Sequence, residues 1–149
     1  MNNFYNRPGT KKRGSFIFKS LFCFFLSTLF LSCSASKENE LNQLLKTEWK
    51  LVKLYEEDLS SLSKSPTLIF FNETEAGGNT GCNSFSGEYV IVNKEILFSK
   101  MISTKMFCDG RMEIENKYLT ALTEINKLQL SEEELILLKD DDPILIFKK

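Results

Sequence analysis

The residues with most chemistry to offer are Cys82 and Cys108, set in Gly81-Cys82-Asn83-Ser84-Phe85-Ser86-Gly87-Glu88-Tyr89 and Ser103-Thr104-Lys105-Met106-Phe107-Cys108. Two thiols can form a disulfide, share a metal, serve as a redox couple or sit buried and inert. Their separation lacks the CxxC spacing of a redox motif, and zinc would need further ligands. Histidine is absent from the chain, which removes Ser-His-Asp and Cys-His catalysis and every imidazole zinc site. The hydroxyls of Ser84, Ser86, Ser103 and Thr104 would need a base to become nucleophiles. Lys105, Glu88 and Asp109 are the groups at hand, and no spacing singles one out. Acidic residues fall mostly on expected surfaces, so paired-carboxylate hydrolysis finds no support either. No catalytic residue, metal ligand or cofactor site is expected, and an enzyme is the weakest class.

The same polar residues admit two readings. Asn83, Ser84, Ser86, Ser103 and Thr104 could line a polar pocket beside the cysteines. Alternatively Asn and Thr satisfy turn backbone, Met106 fills the core and the glycines permit the turn. The second is preferred, because Ser, Thr and Asn side chains routinely bond local backbone in turns. Gly81 and Gly87 then mark points of positive φ or close backbone approach.

What positions these residues begins with an address. The first 32 residues hold five basic residues, Arg7, Lys11, Lys12, Arg13 and Lys19, and no acidic one. An uncharged apolar run, Ser20 to Leu31, follows and ends in Ser32-Cys33 before small polar residues. At about a dozen residues it is short of the roughly 18 needed to span a bilayer, and it reads as a secretion signal. The small residue before Cys33 resembles a lipobox, so Cys33 is expected to be the lipidated N-terminus of a mature protein held at a membrane. The division is a signal peptide over 1–32, a lipidated tether over 33–47 and one domain over 48–149.

Beyond residue 32 the chain has 14 basic and 20 acidic residues. That balance argues against non-specific nucleic-acid binding, which needs clustered Lys and Arg. With Cys23 discarded and Cys33 acylated, Cys82 and Cys108 are an even pair in an oxidising compartment and are expected to form a disulfide.

The domain reads as about eight short strands and one helix. Leu41 to Lys46 suits a helical turn, and Trp49–Leu54 and Thr67–Phe71 read as strands. Gly77–Gly81 reads as a turn or irregular strand at a corner. Glu88–Val92 and Ile96–Ile102 are strands joined at Asn93-Lys94, a hairpin turn. Asp109 is the expected cap of a helix reaching Asn126, with Ile114, Tyr118, Leu122 and Ile125 on its buried face. Strands at 128–130, 135–138 and 144–147 close the chain. The pattern predicts a mainly β (α+β) fold, a small antiparallel barrel or strongly curved sheet with one packed helix.

In order, Gly81-Cys82-Asn83, Phe85, Gly87, Tyr89, then Ser103-Thr104, Met106 and Cys108, then the helix through Glu115, Leu119 and Leu122, resemble the META domain of HslJ-type bacterial lipoproteins. The resemblance runs from Trp49 to Phe147. It implies a lipocalin-like fold and a place in the bacterial envelope, most readily the outer membrane. It implies no enzymatic activity, and the family includes a heat-inducible lipoprotein linked to novobiocin resistance. The function expected on that basis is a non-catalytic envelope lipoprotein that supports envelope integrity or stress tolerance through an envelope protein partner. The alternatives are a barrel-type binding module for a small apolar ligand and a pilot-like assembly factor for an outer-membrane complex. A centre packed by Trp49, Phe70, Phe85 and the helix would argue against the ligand.

Overall fold

Alternating buried and exposed side chains build a strongly curved antiparallel sheet in the computed structural model, which describes residues 42–149. The leader and Cys33 lie outside the described residues. A helical turn at 42–44 leads into β1 (Glu48–Leu54), followed by the two-residue β2 (Glu57–Asp58). Then come β3 (Thr67–Phe70), β4 (Glu75–Asn79), β5 (Ser84–Val92) and β6 (Glu95–Ser103). One helix, α1 (Met112–Glu124), precedes β7 (Lys127–Leu130), β8 (Glu134–Lys139) and β9 (Asp142–Lys148). Strands β3 to β9 pair in chain order, β3 also pairs with β1, and β9 returns to β1. The sheet therefore closes on itself, leaving only the short β2 as a flap on β1.

Closure is thinnest between β6 and β7, whose pairing is limited to Glu95 with Lys127. Helix α1 leaves the far end of β6 and returns to β7, so it packs where a strand would otherwise continue. It buries Glu115, Tyr118, Ala121 and Leu122, and Ile125 is buried just beyond its end. The expected stripe is thus present, except that Glu115 takes the first-turn position in place of the half-buried Ile114. The interior is filled. Trp49, Phe70, Tyr89, Tyr118 and Phe147 are all at most 1% exposed and Phe85 is 5% exposed. Tyr89 meets Phe70 edge to face at 4.8 Å, and Phe85 meets Tyr118 likewise at 5.6 Å. Such pairs add about 0.5–1.5 kcal/mol each beyond the area they bury.

Three expectations of local structure are corrected. Asp109 is not the helix cap, because Gly110 turns the chain at φ +69 and the helix begins after Arg111, with no side-chain cap. Of the turn or irregular strand expected from residue 77, residues 77–79 form strand, the end of β4, and it is regular, pairing with β5 without a register shift. Glycine is required there because a Cβ on Gly78 would collide with the Thr67 carbonyl on the neighbouring strand. Strand β5 starts at Ser84, several residues early, and shifts register around Gly87. The Asn93-Lys94 hairpin turn is as expected, with φ of 53 and 81, the left-handed pair that a two-residue turn uses.

Antiparallel connectivity separates two ends. The β3–β4, β5–β6 and β7–β8 turns lie at the end where β1 begins. The chain enters there, with Lys46 N–H bonded to Phe70 O at 2.9 Å and Gln43 Nε2 donating to Ser131 O. The β1–β3, β4–β5 and β6–α1 loops gather at the other end, with Cys82, Asn83 and Cys108 among them.

Candidate functional site: the Asn83 end

Strand β4 ends in a four-residue turn over residues 80–83 that folds on its own polar groups. Thr80, 1% exposed, donates its N–H to Asn83 O at 2.7 Å, and its Oγ1 accepts the Asn83 N–H at 2.9 Å. Asn79 Oδ1 accepts the Gly81 N–H at 2.7 Å, and Gly81 sits at φ +92, a conformation that disfavours a Cβ. The turn aims the Asn83 side chain inward, where it is wholly buried.

From there one amide organises three segments. Asn83 Oδ1 accepts the Met106 N–H and the Thr104 hydroxyl, both at 2.7 Å. Its Nδ2 donates to Met106 O at 3.0 Å and to the two Glu115 carboxylate oxygens at 3.0 and 2.9 Å. Glu115 is 4% exposed and is carried in on the first turns of α1, where the positive end of the helix dipole favours a carboxylate. Both main-chain groups of Met106 are thereby held by one side chain. The Thr104 N–H bonds Ser84 O at 3.0 Å, extending the β5–β6 ladder one residue further. Among the described residues, no buried side-chain N or O lacks a hydrogen-bond partner.

The second fastening is covalent. Cys82 and Cys108 form a disulfide with Cα atoms 6.0 Å apart. The β1–β3 loop is tied in by Arg111, whose guanidinium donates to Lys64 O and Ser63 Oγ, each at 3.3 Å.

The expected residues therefore divide by task. Cys82, Asn83, Thr104, Met106 and Cys108 are brought together. Phe85 and Tyr89 are core, and the Tyr89 hydroxyl donates to Asn72 O at 2.7 Å. Burial, and after it the charge of Glu73, pushes the Tyr89 hydroxyl up to about 12. Gly87 admits Met101 and the Ser99 carbonyl, which a Cβ would strike. Ser84 and Ser86 face outward and are exposed. Ser103 joins Met101, Ile102, Leu119, Thr120 and Thr123 around a groove of about 260 Å³ between β6 and α1. Met106 departs from its expected place. Its backbone is pinned inside, but its side chain is 58% exposed, and that of Phe107 is 82% exposed.

Glu115 as a buried member was missed. Its signal lay in the spacing, since 115, 118, 122 and 125 step by three, four and three along one helix face. A charged residue at the start of an apolar stripe calls for a buried polar partner, and Asn83 is that partner.

Chemically, the arrangement builds. The amide, the hydroxyls and the carboxylate are directed at one another and at backbone. Among the described residues, no group of three or more His, Cys, Asp or Glu could hold a metal ion, and no helix is long and apolar enough to cross a membrane. The packed aromatic interior removes the support for a small apolar ligand inside the barrel.

A family model described as the META domain matches residues 42–149. No curated protein matches the chain. Two solved structures are similar. One, titled an NMR structure of the protein from Burkholderia xenovorans, is 25% identical with a TM-score of 0.58, covering 74% of this chain and 86% of its own. The other, titled an NMR structure of the protein, is 24% identical at the same TM-score of 0.58, covering 72% of this chain and 92% of its own.

Proposed function

The chain belongs to the META domain family, and from that premise we propose that it is a non-catalytic lipoprotein of the bacterial envelope, tethered by lipid at Cys33, that supports envelope integrity under stress through protein contacts. The observation that carries the reading is the use made of the signature residues. Asn83, Thr104 and the cysteines fasten one end of the barrel and hold the Met106 backbone. Residues engaged in this way are suited to display rather than turnover. The outward face of the β5–β6 hairpin supports the contact role. Val90 and Leu97 are cross-strand neighbours, 58% and 60% exposed, with Val92 at 56% beside them. Apolar residues that cluster on a surface in this way mark contact sites more often than scattered ones.

Metabolic labelling with an alkyne palmitate tests the tether, and complementation of a deletion strain under envelope stress tests the role. Wild type is expected to be labelled and to restore growth. Cys33→Ala is expected to do neither. Equal labelling of both proteins, or full rescue by Cys33→Ala, would overturn the reading.

A further inference from the structure

We propose that Asn83 assembles the β6–α1 loop before the disulfide exists, so that reduced Cys82 and Cys108 are a dithiol already in place on the folded domain. The pair is then open to exchange with a small disulfide, and the bridge is made and unmade without unfolding. The bonds that position residues 104–111 run between nitrogen and oxygen. Asn83 accepts the Met106 N–H at 2.7 Å and donates to Met106 O at 3.0 Å. The Thr104 N–H bonds Ser84 O at 3.0 Å, and Thr104 Oγ1 accepts the Ser84 N–H at 3.2 Å. The Arg111 N–H donates to Cys108 O at 3.1 Å. Cys82 directly precedes Asn83, and Cys108 is two residues past Met106. Each cysteine is therefore placed by main chain that is fastened next to it.

In a flexible chain, two thiols 26 positions apart meet only by paying the entropy of loop closure. Here folding has already closed that loop. The turn at 80–83 is fixed by Thr80 and Asn79 on one side, and α1 brings the buried Glu115 to Asn83 on the other. Both cysteines are half-buried rather than sealed in the core, so a small disulfide has access to the sulfurs.

The reaction that a placed dithiol supplies is thiol–disulfide exchange, with a disulfide of the glutathione class as oxidant. One cysteine thiolate attacks a glutathione sulfur, and the S–S bond of the oxidant breaks to release one glutathione. The second thiolate attacks the protein sulfur of the mixed disulfide, which closes Cys82–Cys108 and releases the second glutathione. Two electrons pass to the oxidant, and the two cysteine protons end on the released thiols. None of these steps needs the tether or the contact role proposed above.

Equilibration of the full-length protein in glutathione buffers tests the proposal. Bridged and reduced fractions are read by alkylation and mass spectrometry of the peptides carrying positions 82 and 108, which keeps Cys23 and Cys33 out of the readout. Wild type is expected to favour the bridge about 400-fold more when folded than in urea, the chain-entropy gain for a loop of this length. Asn83→Ala is expected to lower that ratio at least about tenfold, as loss of the bonds at Met106 implies. Asn83→Ala with Glu115→Gln, which leaves no buried charge without a partner, takes its place if the single variant does not fold. In Cys82→Ser with Cys108→Ser, amide exchange at Met106 is expected to stay more than about tenfold slower than in an unstructured peptide. Exchange at Met106 within about tenfold of that peptide would overturn the proposal, because the loop would then depend on sulfur. So would a folded-to-unfolded ratio below about tenfold in wild type, or a change of less than about tenfold in the Asn83 variants.

Discussion

At one end of the barrel, β3–β4, β5–β6 and β7–β8 are joined by turns of two to four residues, in which the side chains of Asn72 and Ser131 bond backbone two or three residues on. At the other, the loops after β2, β4 and β6 depend on each other through Asn83, Arg111 and a disulfide. Asn72 illustrates the first manner, with its Oδ1 accepting the N–H groups of Thr74 and Glu75, two and three residues on. Asn83 illustrates the second. It reaches 23 residues along the chain to Met106 and 32 to Glu115. The same residue type thus closes a local turn in one place and joins three segments in another. Removing a local bond lets the backbone find water, whereas removing a buried hub leaves several groups unpaired at once.

The largest expected effect follows from that difference. Asn83→Ala deprives both Met106 backbone groups, the Thr104 hydroxyl and the buried Glu115 carboxylate of their partner. The loss should be about 3–5 kcal/mol in chemical denaturation. Recovery of most of that stability on adding Glu115→Gln would show that the stranded carboxylate, not the loop, carries the cost. Removal of the disulfide by Cys82→Ser with Cys108→Ser comes next. It reopens a loop spanning 26 positions, worth about 3.5 kcal/mol in the chain-entropy model, read as the difference in unfolding free energy from wild type. The smallest effect belongs to the other end. Asn93→Ala at φ 53 should cost about 1 kcal/mol, the penalty of a left-handed residue with a Cβ. A loss at position 93 equal to that at position 83 would erase the distinction between the ends.

The tight-turn end was legible in the sequence and the loop end only partly so. Asn93-Lys94 between alternating runs identifies a hairpin, because strand period and turn chemistry are both local. Tyr118, Leu122 and Ile125 place the helix for the same reason. The disulfide was accessible by counting thiols. By contrast, no period governs residues 104–111, where the backbone answers to a side chain more than twenty positions away. Met106 looked like core because apolar residues near a buried bridge usually are. Its burial is instead confined to the main chain. An acid such as Glu115 near a helix start suits the helix dipole whichever way it points, so that local argument does not say which way the side chain faces. Gly77 and Gly78 read by type as a turn or an irregular strand, but their role is to let the backbones of β3 and β5 come close to a regular one.

The central claim is that Asn83 fixes the backbone of an otherwise exposed loop. Native-state amide hydrogen exchange at Met106 tests it most directly. Its N–H is bonded to Asn83 Oδ1 at 2.7 Å beneath an exposed side chain. Exchange is predicted to be slowed on the order of a thousandfold or more relative to an unstructured peptide, with the protection lost in Asn83→Ala. Exchange at Met106 within about tenfold of the unstructured rate in the wild-type protein would contradict the account.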